Sequence, residues 1–114
     1  MTNSWGDKEE IRRILVRKRA ELVALDAASE ADRETVALDQ QSVGRLSRMD
    51  AMQRQAMAKA QARRREQEIA RINAALARLD AGEYGECLEC GEAIAPKRLG
   101  LDPAAALCIA CAAK

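Results

Sequence analysis

The chain has 114 residues, of which 48% are hydrophobic but only 2% aromatic, and its formal net charge is +1. So few bulky side chains cannot fill a thick globular core, and elongated, alanine-rich helices account better for the composition. A nearly neutral chain is not expected to bind nucleic acid mainly through bulk charge. No stretch reaches the roughly 18 consecutive apolar residues of a membrane span, and the N-terminus lacks the apolar core of a signal peptide, so we expect a cytoplasmic protein.

The first predicted element is a long helix over residues 7–38. Asp7 is a plausible N-cap, and Glu10 three residues later completes a capping-box pattern. Apolar residues then recur at heptad-compatible spacing, at Ile11, Leu15, Leu22 and Leu25. The pattern weakens after Leu25, so a loop as early as Ser29 remains an alternative to a helix that continues.

The predicted turn lies within residues 35–47. Gly44 loosens the backbone there, and three side chains are plausible caps for the next helix, namely Asp39, Ser42 and Ser47. The second helix runs to about Asp80 and ends at Gly82, and its last turns carry Ile69, Ile72, Leu76 and Leu79.

Neither helix has enough apolar surface to be stable alone, but the two can bury their apolar sides against each other. The predicted fold class is therefore mainly α, with a long antiparallel helical hairpin, or coiled coil, over residues 1–81. A small C-terminal module over residues 82–114 completes the predicted domain organisation.

That module contains four cysteines in two pairs, Cys87 and Cys90 followed after 17 residues by Cys108 and Cys111. Two Cys-x2-Cys pairs at this separation are typical of a zinc site that has four thiolate ligands. The chain has no histidine, so every ligand of such a site has to be sulfur. Four protein ligands leave no open position for water, which predicts one structural zinc rather than a catalytic one.

A disulfide or a redox-active pair is the alternative interpretation of these cysteines. Paired cysteines in a reducing cytosol are more often metal ligands than disulfides. Thiol oxidoreductases place a single Cys-x-x-Cys motif in a βαβ fold, for which this sequence shows no pattern, and histidine, the commonest general base, is absent. We therefore expect that the protein is not an enzyme.

The segment 79–99, LDAGEYGECLECGEAIAPKRL, together with Pro103 and the second cysteine pair, resembles the DksA/TraR family of bacterial transcription regulators in a short form. The resemblance is specific over residues 69–111 and only architectural over residues 1–65. It implies a zinc-finger protein that binds RNA polymerase through its secondary channel and modulates transcription initiation. It also implies that the four cysteines bind zinc.

The resemblance further suggests where the polymerase contacts lie. Family members carry paired acidic residues at the tip of the coiled coil, and two alignments of this chain give Asp39 and Ser42, or a tip with Asp50 just beyond it, as candidates. Candidates for contact with the polymerase are the basic residues of the second helix, Arg63, Arg64, Arg65 and Arg71. Such residues are otherwise ordinary solvated helix faces, helix caps or partners of the helix dipole.

Several family members act together with the alarmone ppGpp. Arg71 falls where the family has a basic residue, but Asp102 and Ala112 stand where full-length members have an Arg and a Lys. A carboxylate repels an anionic ligand, so we predict that ppGpp binding is weak or absent. Two other functions remain open, a nucleic-acid-binding zinc module and a structural protein that self-associates through its coiled coil. We do not expect direct DNA binding, and we expect a monomer.

Overall fold

The computed structural model describes the backbone of residues 6–39 and 45–114, and the side chains of residues 6–29 and 48–114. Four helices follow one another along the chain: α1 (Lys8–Asp39), α2 (Arg45–Ala81), α3 (Pro96–Leu101) and α4 (Ile109–Ala112). One isolated antiparallel bridge joins Glu86 and Ala93, and no β-strand lies among the described residues. The predicted, mainly α fold class is confirmed.

The helix α1 begins at Lys8, directly after Asp7, whose Oδ1 accepts a hydrogen bond from the backbone N–H of Glu9 at 3.3 Å. Asp7 thus satisfies one of the N–H groups that every helix start leaves without a partner. The helix continues without interruption to Asp39, so the alternative of a loop at Ser29 is wrong.

The helix α2 begins at Arg45, which places Ser47 inside the helix rather than at its cap. The rest of the predicted turn, residues 40–44 with the candidate Ser42, lies outside the described residues. At the other end, Gly82 adopts a positive φ of 77°. The N–H groups of Gly82 and Glu83 bond to the carbonyls of Leu79 and Arg78 at 3.3 and 2.8 Å, a Schellman motif that ends the helix where the sequence predicts.

The chain forms two compact units. The first contains the described residues up to Arg19 together with residues 70–114. Within it, α1 and α2 run antiparallel. Arg12 pairs with Asp80 at 2.6 Å, and Arg19, further along α1, donates to Asn73, which precedes Asp80 on α2, at 2.8 Å. The buried core of this unit combines residues of both helices with residues of the C-terminal module: Ile11, Leu15, Ile72, Ala75, Leu79, Tyr84, Ile94, Leu99, Ala104 and Ala105.

The second unit contains residues 20–69. Here Leu25, which the apolar pattern predicts to be buried, is 56% exposed, so that prediction is wrong. Helical geometry explains the difference, because each residue advances by about 100° around the helix axis. Asp26 therefore lies about 40° from the half-buried Leu22, whereas Leu25 lies about 60° from Leu22 in the opposite direction. Asp26 pairs with Arg65 of α2 at 3.4 Å, so an ion pair occupies the inner face where the pattern predicts leucine.

Within the described part of the chain, none of the helices has both the length and the apolar character that a bilayer-spanning segment needs. The domain boundary predicted between residues 81 and 82 stays a prediction, although α2 does end at Ala81.

Candidate metal centre

The first cysteine pair lies in a tight turn directly after the end of α2. The N–H of Gly91 bonds to the carbonyl of Cys87 at 2.9 Å, and the N–H of Cys87 bonds to the carbonyl of Glu92 at 2.8 Å. Gly91 has a φ of 76°, a conformation that side chains disfavour and glycine accepts. The glycine thus lets the chain reverse immediately after Cys90 and brings both thiols of the pair to the same side.

The second pair is positioned by the short helix α4. Cys108 is its N-cap residue, and the carbonyl of Cys108 accepts the N–H of Ala112 at 2.9 Å. Cys111 lies one turn further along the helix and is 6% exposed. A backbone bond from Leu88 to Ala106 at 2.9 Å joins the two turns, so both cysteine pairs face each other.

The four sulfur atoms all lie within 4.8 Å of one another. The Sγ atoms of Cys90 and Cys108 are 3.8 Å apart, which is too long for a disulfide, whose sulfurs are about 2.05 Å apart. All four cysteines are free thiols. In a tetrahedral zinc site with Zn–S bonds of about 2.3 Å, the sulfurs are roughly 3.8 Å apart, so the observed cluster fits this ion.

The cluster also has the electrostatics of a site for a cation. Backbone N–H groups of Cys90 and Cys108 point at the sulfur of Cys87 and lower its pKa to about 6. The neighbouring thiol of Cys108 and then burial raise the pKa of Cys111 well above the usual range. At Cys90 a backbone N–H from Glu92 acts in the opposite sense, but the thiol of Cys87 and burial leave its pKa raised. Without a cation the cluster therefore resists carrying several negative charges at once.

Two hydrogen bonds from side chains hold the loop between the pairs. The hydroxyl of Tyr84, which is buried, donates to the carbonyl of Pro103 at 2.7 Å. Burial raises the pKa of Tyr84 to about 12, so the phenol stays neutral and remains a donor. Arg98 donates through Nε to the carbonyl of Leu107 at 2.9 Å, directly before Cys108. The spacing of residues along the sequence predicts neither of these two hydrogen bonds.

Comparison with known proteins identifies this centre. Residues 82–114 match the model of the prokaryotic dksA/traR C4-type zinc finger. Among solved structures, that of transcription factor DksA2 from Pseudomonas aeruginosa is similar, with a TM-score of 0.79 and 27% sequence identity over 93% of this chain and 80% of that chain. These two findings support the resemblance to the DksA/TraR family that the sequence indicates. A search of curated protein sequences gives no significant match.

The match to a C4-type zinc finger and the cluster of four cysteines indicate one structural zinc ion as the cofactor. The four clustered cysteines supply the donor set that zinc prefers, and no ligand position is left for water or substrate. When bound, the ion offsets half of the charge of the four thiolates and joins the two turns, which contributes folding free energy to a module of this size. The alternative of a redox disulfide finds no support in the sulfur separations.

The other candidate residues lie in different places. Asp50 is exposed near the start of α2, and Arg63 and Arg64 are exposed further along it. By contrast, the side chain of Arg65 is only 14% exposed, because it pairs with Asp26. Asp39 is the last residue of α1, and its side chain lies outside the described part of the chain.

The remaining candidate, Arg71, lies beside the zinc module. Its Nη2 donates to Oδ2 of Asp102 at 2.7 Å. Arg78, two turns further along α2, is partly buried, and this burial lowers the pKa of its guanidinium. Tyr84 acts in the opposite direction, and the positive charge of Arg71 lowers the pKa further. Arg71 and Asp102, the two residues on which the expectation of weak ppGpp binding rests, thus form an ion pair with each other.

Proposed function

We propose that this protein is a non-enzymatic, zinc-containing transcription regulator that binds RNA polymerase through the secondary channel and modulates initiation. The observation that carries the proposal is the similarity to transcription factor DksA2 over 93% of the chain, combined with the C4-type zinc finger at residues 82–114. In this account the zinc module is structural, and the surfaces of the helices make the functional contacts.

The candidates for contact with the polymerase differ in how accessible their side chains are. Arg63 and Arg64 are exposed and adjacent, so both guanidinium groups can meet an acidic partner surface. Arg65 forms an ion pair with Asp26 between α1 and α2, so its guanidinium group is already engaged within the hairpin. We assign the main polymerase contact to Arg63 and Arg64.

A carboxylate near the hairpin turn is proposed to act toward the polymerase active site. Asp50 is exposed, so its carboxylate is free to reach a partner. Asp39 and Ser42 remain the other proposed tip residues, as the sequence suggests. Replacing Asp50 by Asn keeps the size of the side chain and removes its charge, which makes it the most informative tip variant.

The proposal includes weak or absent ppGpp binding. Asp102 already neutralises the guanidinium of Arg71 at 2.7 Å, and an anionic ligand there would have to displace or adjoin a carboxylate. Calorimetry on the polymerase complex should show no ppGpp affinity that depends on Arg71. Measurable affinity that disappears on Arg71→Ala would contradict this part of the proposal.

The charge of the zinc module opposes the alternative function of a nucleic-acid-binding finger. Residues 82–114 contain five acidic side chains against three basic ones, a net charge of −2. Four thiolates with one zinc ion add a further −2. A negatively charged module does not attract phosphates, so its DNA or RNA binding at low salt should be negligible.

The test is a pull-down of core RNA polymerase followed by run-off transcription. Wild-type protein should bind, and the double variant Arg63→Glu/Arg64→Glu should lose most of its binding. The matched control is Arg17→Glu/Lys18→Glu, an exposed basic pair on α1, which should bind nearly as the wild type does. Asp50→Asn should bind but change transcript yields less than the wild type does. No binding by the wild type would refute the proposed function.

A further inference from the structure

We propose that Met49, Met52 and Met57, which we call the methionine site, are a modification site of α2. Hydroperoxides oxidise its thioether sulfurs to sulfoxides, and this change switches off the action of the hairpin on transcription. The oxidation itself does not depend on a partner, whereas its regulatory effect rests on the proposed function. The methionine site is separate from the four cysteines of the candidate metal centre.

Methionine is concentrated in one short stretch of α2. The chain has four methionines, and three of them lie within residues 49–57. Met49, Met52 and Met57 are 58%, 65% and 63% exposed. Methionine ordinarily fills irregular gaps in an apolar core, because its side chain is flexible and apolar. Three exposed thioethers in one stretch therefore do not serve packing, and their sulfurs are open to reagents in solution.

The methionine site lies away from the face of α2 that meets α1. Arg65 pairs with Asp26 of α1 and thus marks this inner face, and the buried Ala51 lies on the same face two heptads earlier. At about 100° per residue, the three methionines lie roughly 100–160° around the helix axis from Ala51. Oxidation of their sulfurs should therefore leave the packing of the two helices intact.

The reaction at each exposed thioether is a two-electron transfer of one oxygen atom. The sulfur attacks one oxygen of the hydroperoxide, and the O–O bond breaks as the S–O bond forms. The other oxygen leaves as an alkoxide and takes up the hydroxyl proton. Sulfur is thereby oxidised to the sulfoxide, and the hydroperoxide is reduced to an alcohol. Methionine sulfoxide reductases reverse the change, so the methionine site can work as a switch.

The cysteines of the same chain are less open to the oxidant. Cys87 and Cys111 are 2% and 6% exposed, whereas every member of the methionine site is more than half exposed. Cys90 is the exposed member of the cysteine cluster. Zinc release therefore has to be followed together with sulfoxide formation, because attack on Cys90 would free the ion.

Oxidation changes the surroundings of Asp50, the exposed tip candidate. Met49 directly precedes Asp50, and Met57 lies seven residues after it, on the same side of α2. A sulfoxide replaces an apolar side chain by a polar one, whose oxygen carries partial negative charge and accepts hydrogen bonds. Such an oxygen beside the carboxylate competes with it for donors of the partner. The effect of the protein on transcription should therefore fall.

The test treats the zinc-loaded full chain with tert-butyl hydroperoxide. Peptide mass spectrometry should find sulfoxide at all three members of the methionine site at doses that leave zinc content and circular dichroism unchanged. Run-off transcription should show that the oxidised wild type loses most of its effect, and that methionine sulfoxide reductases restore it. The matched control, Met49→Leu/Met52→Leu/Met57→Leu, keeps apolar side chains and Met1 but lacks these thioethers. Treatment should leave its own transcript yields unchanged.

The outcomes separate this inference from the proposed function, which the untreated wild type tests in the same assay. Zinc release at lower doses than sulfoxide formation would overturn the methionine site, because the cysteines would then be the sulfurs that respond. Complete oxidation of the three methionines without a change in transcript yields would overturn it as well. So would an equal loss of effect in the leucine variant. In each case an active untreated wild type leaves the proposed function standing, whereas an untreated wild type that does not bind polymerase refutes both proposals.

Discussion

Zinc affinity should depend steeply on pH, because the cluster has to lose protons before all four sulfurs can bind the ion. The thiol of Cys87, with its pKa lowered to about 6, is already ionised at neutral pH. The pKa values of Cys90 and Cys111 are raised above the ordinary thiol value, so both remain protonated at neutral pH in the metal-free protein. Zinc binding must displace at least these two protons.

The size of the effect follows from this proton count. Each displaced proton changes the binding free energy by about 1.4 kcal/mol per pH unit, so two protons correspond to about 2.7 kcal/mol, or roughly 100-fold in affinity. The sign is fixed as well, since groups that must be deprotonated to bind favour the metal at higher pH. Zinc affinity should therefore fall at least 100-fold between pH 7.5 and 6.5.

The assay is competition for zinc against a chelator of known proton affinity at pH 6.5, 7.0 and 7.5. Calorimetry in two buffers of different ionisation enthalpy counts the released protons independently. A variant with Cys111→Ser should bind zinc much more weakly and show a shallower slope. A slope clearly below two decades per pH unit for the wild type would refute the reasoning, because fewer than two protonated thiols would then be taking part.

Three further predictions concern stability. Tyr84→Phe removes the buried hydrogen bond to the carbonyl of Pro103 and should lower the free energy of unfolding by about 1–3 kcal/mol in urea titrations of the zinc-loaded protein, and an unchanged midpoint would contradict it. Asp26→Ala should cost about 1–2 kcal/mol by leaving Arg65 without its carboxylate, and Asp26→Leu/Arg65→Met should recover most of this loss, unlike a purely additive pair. Leu15→Ala, at a fully buried position, should cost about 2–5 kcal/mol in thermal unfolding, and a loss below 1 kcal/mol would argue against the described core.

The features that the sequence predicts correctly are those set by local spacing. A cysteine pair with two intervening residues makes a compact turn in almost any surroundings, so the four-cysteine cluster follows from the spacing. The end of α2 is likewise set by local sequence, because Gly82 has a positive φ that few residue types other than glycine adopt. The buried positions of Leu15 and Ile72 follow from helical periodicity.

What the sequence does not reveal depends on contacts between distant residues. Residues three and four positions after a given residue both lie close to the same face of a helix. Spacing alone therefore does not show that Asp26 rather than Leu25 faces α2. The ion pair of Arg71 with Asp102 joins residues 31 positions apart, and no local rule brings them together. For the same reason, Arg65 could not be distinguished from its exposed neighbours before its partner was known.

The most direct test of the account measures the metal in the purified, reduced protein. Elemental analysis together with X-ray absorption at the zinc edge should find one zinc per chain, bound by four sulfurs at about 2.3 Å. Replacing any one cysteine should lower the sulfur count and the zinc occupancy. Substoichiometric metal in a protein that stays folded with a strong chelator, or a site with oxygen or nitrogen ligands, would contradict the account.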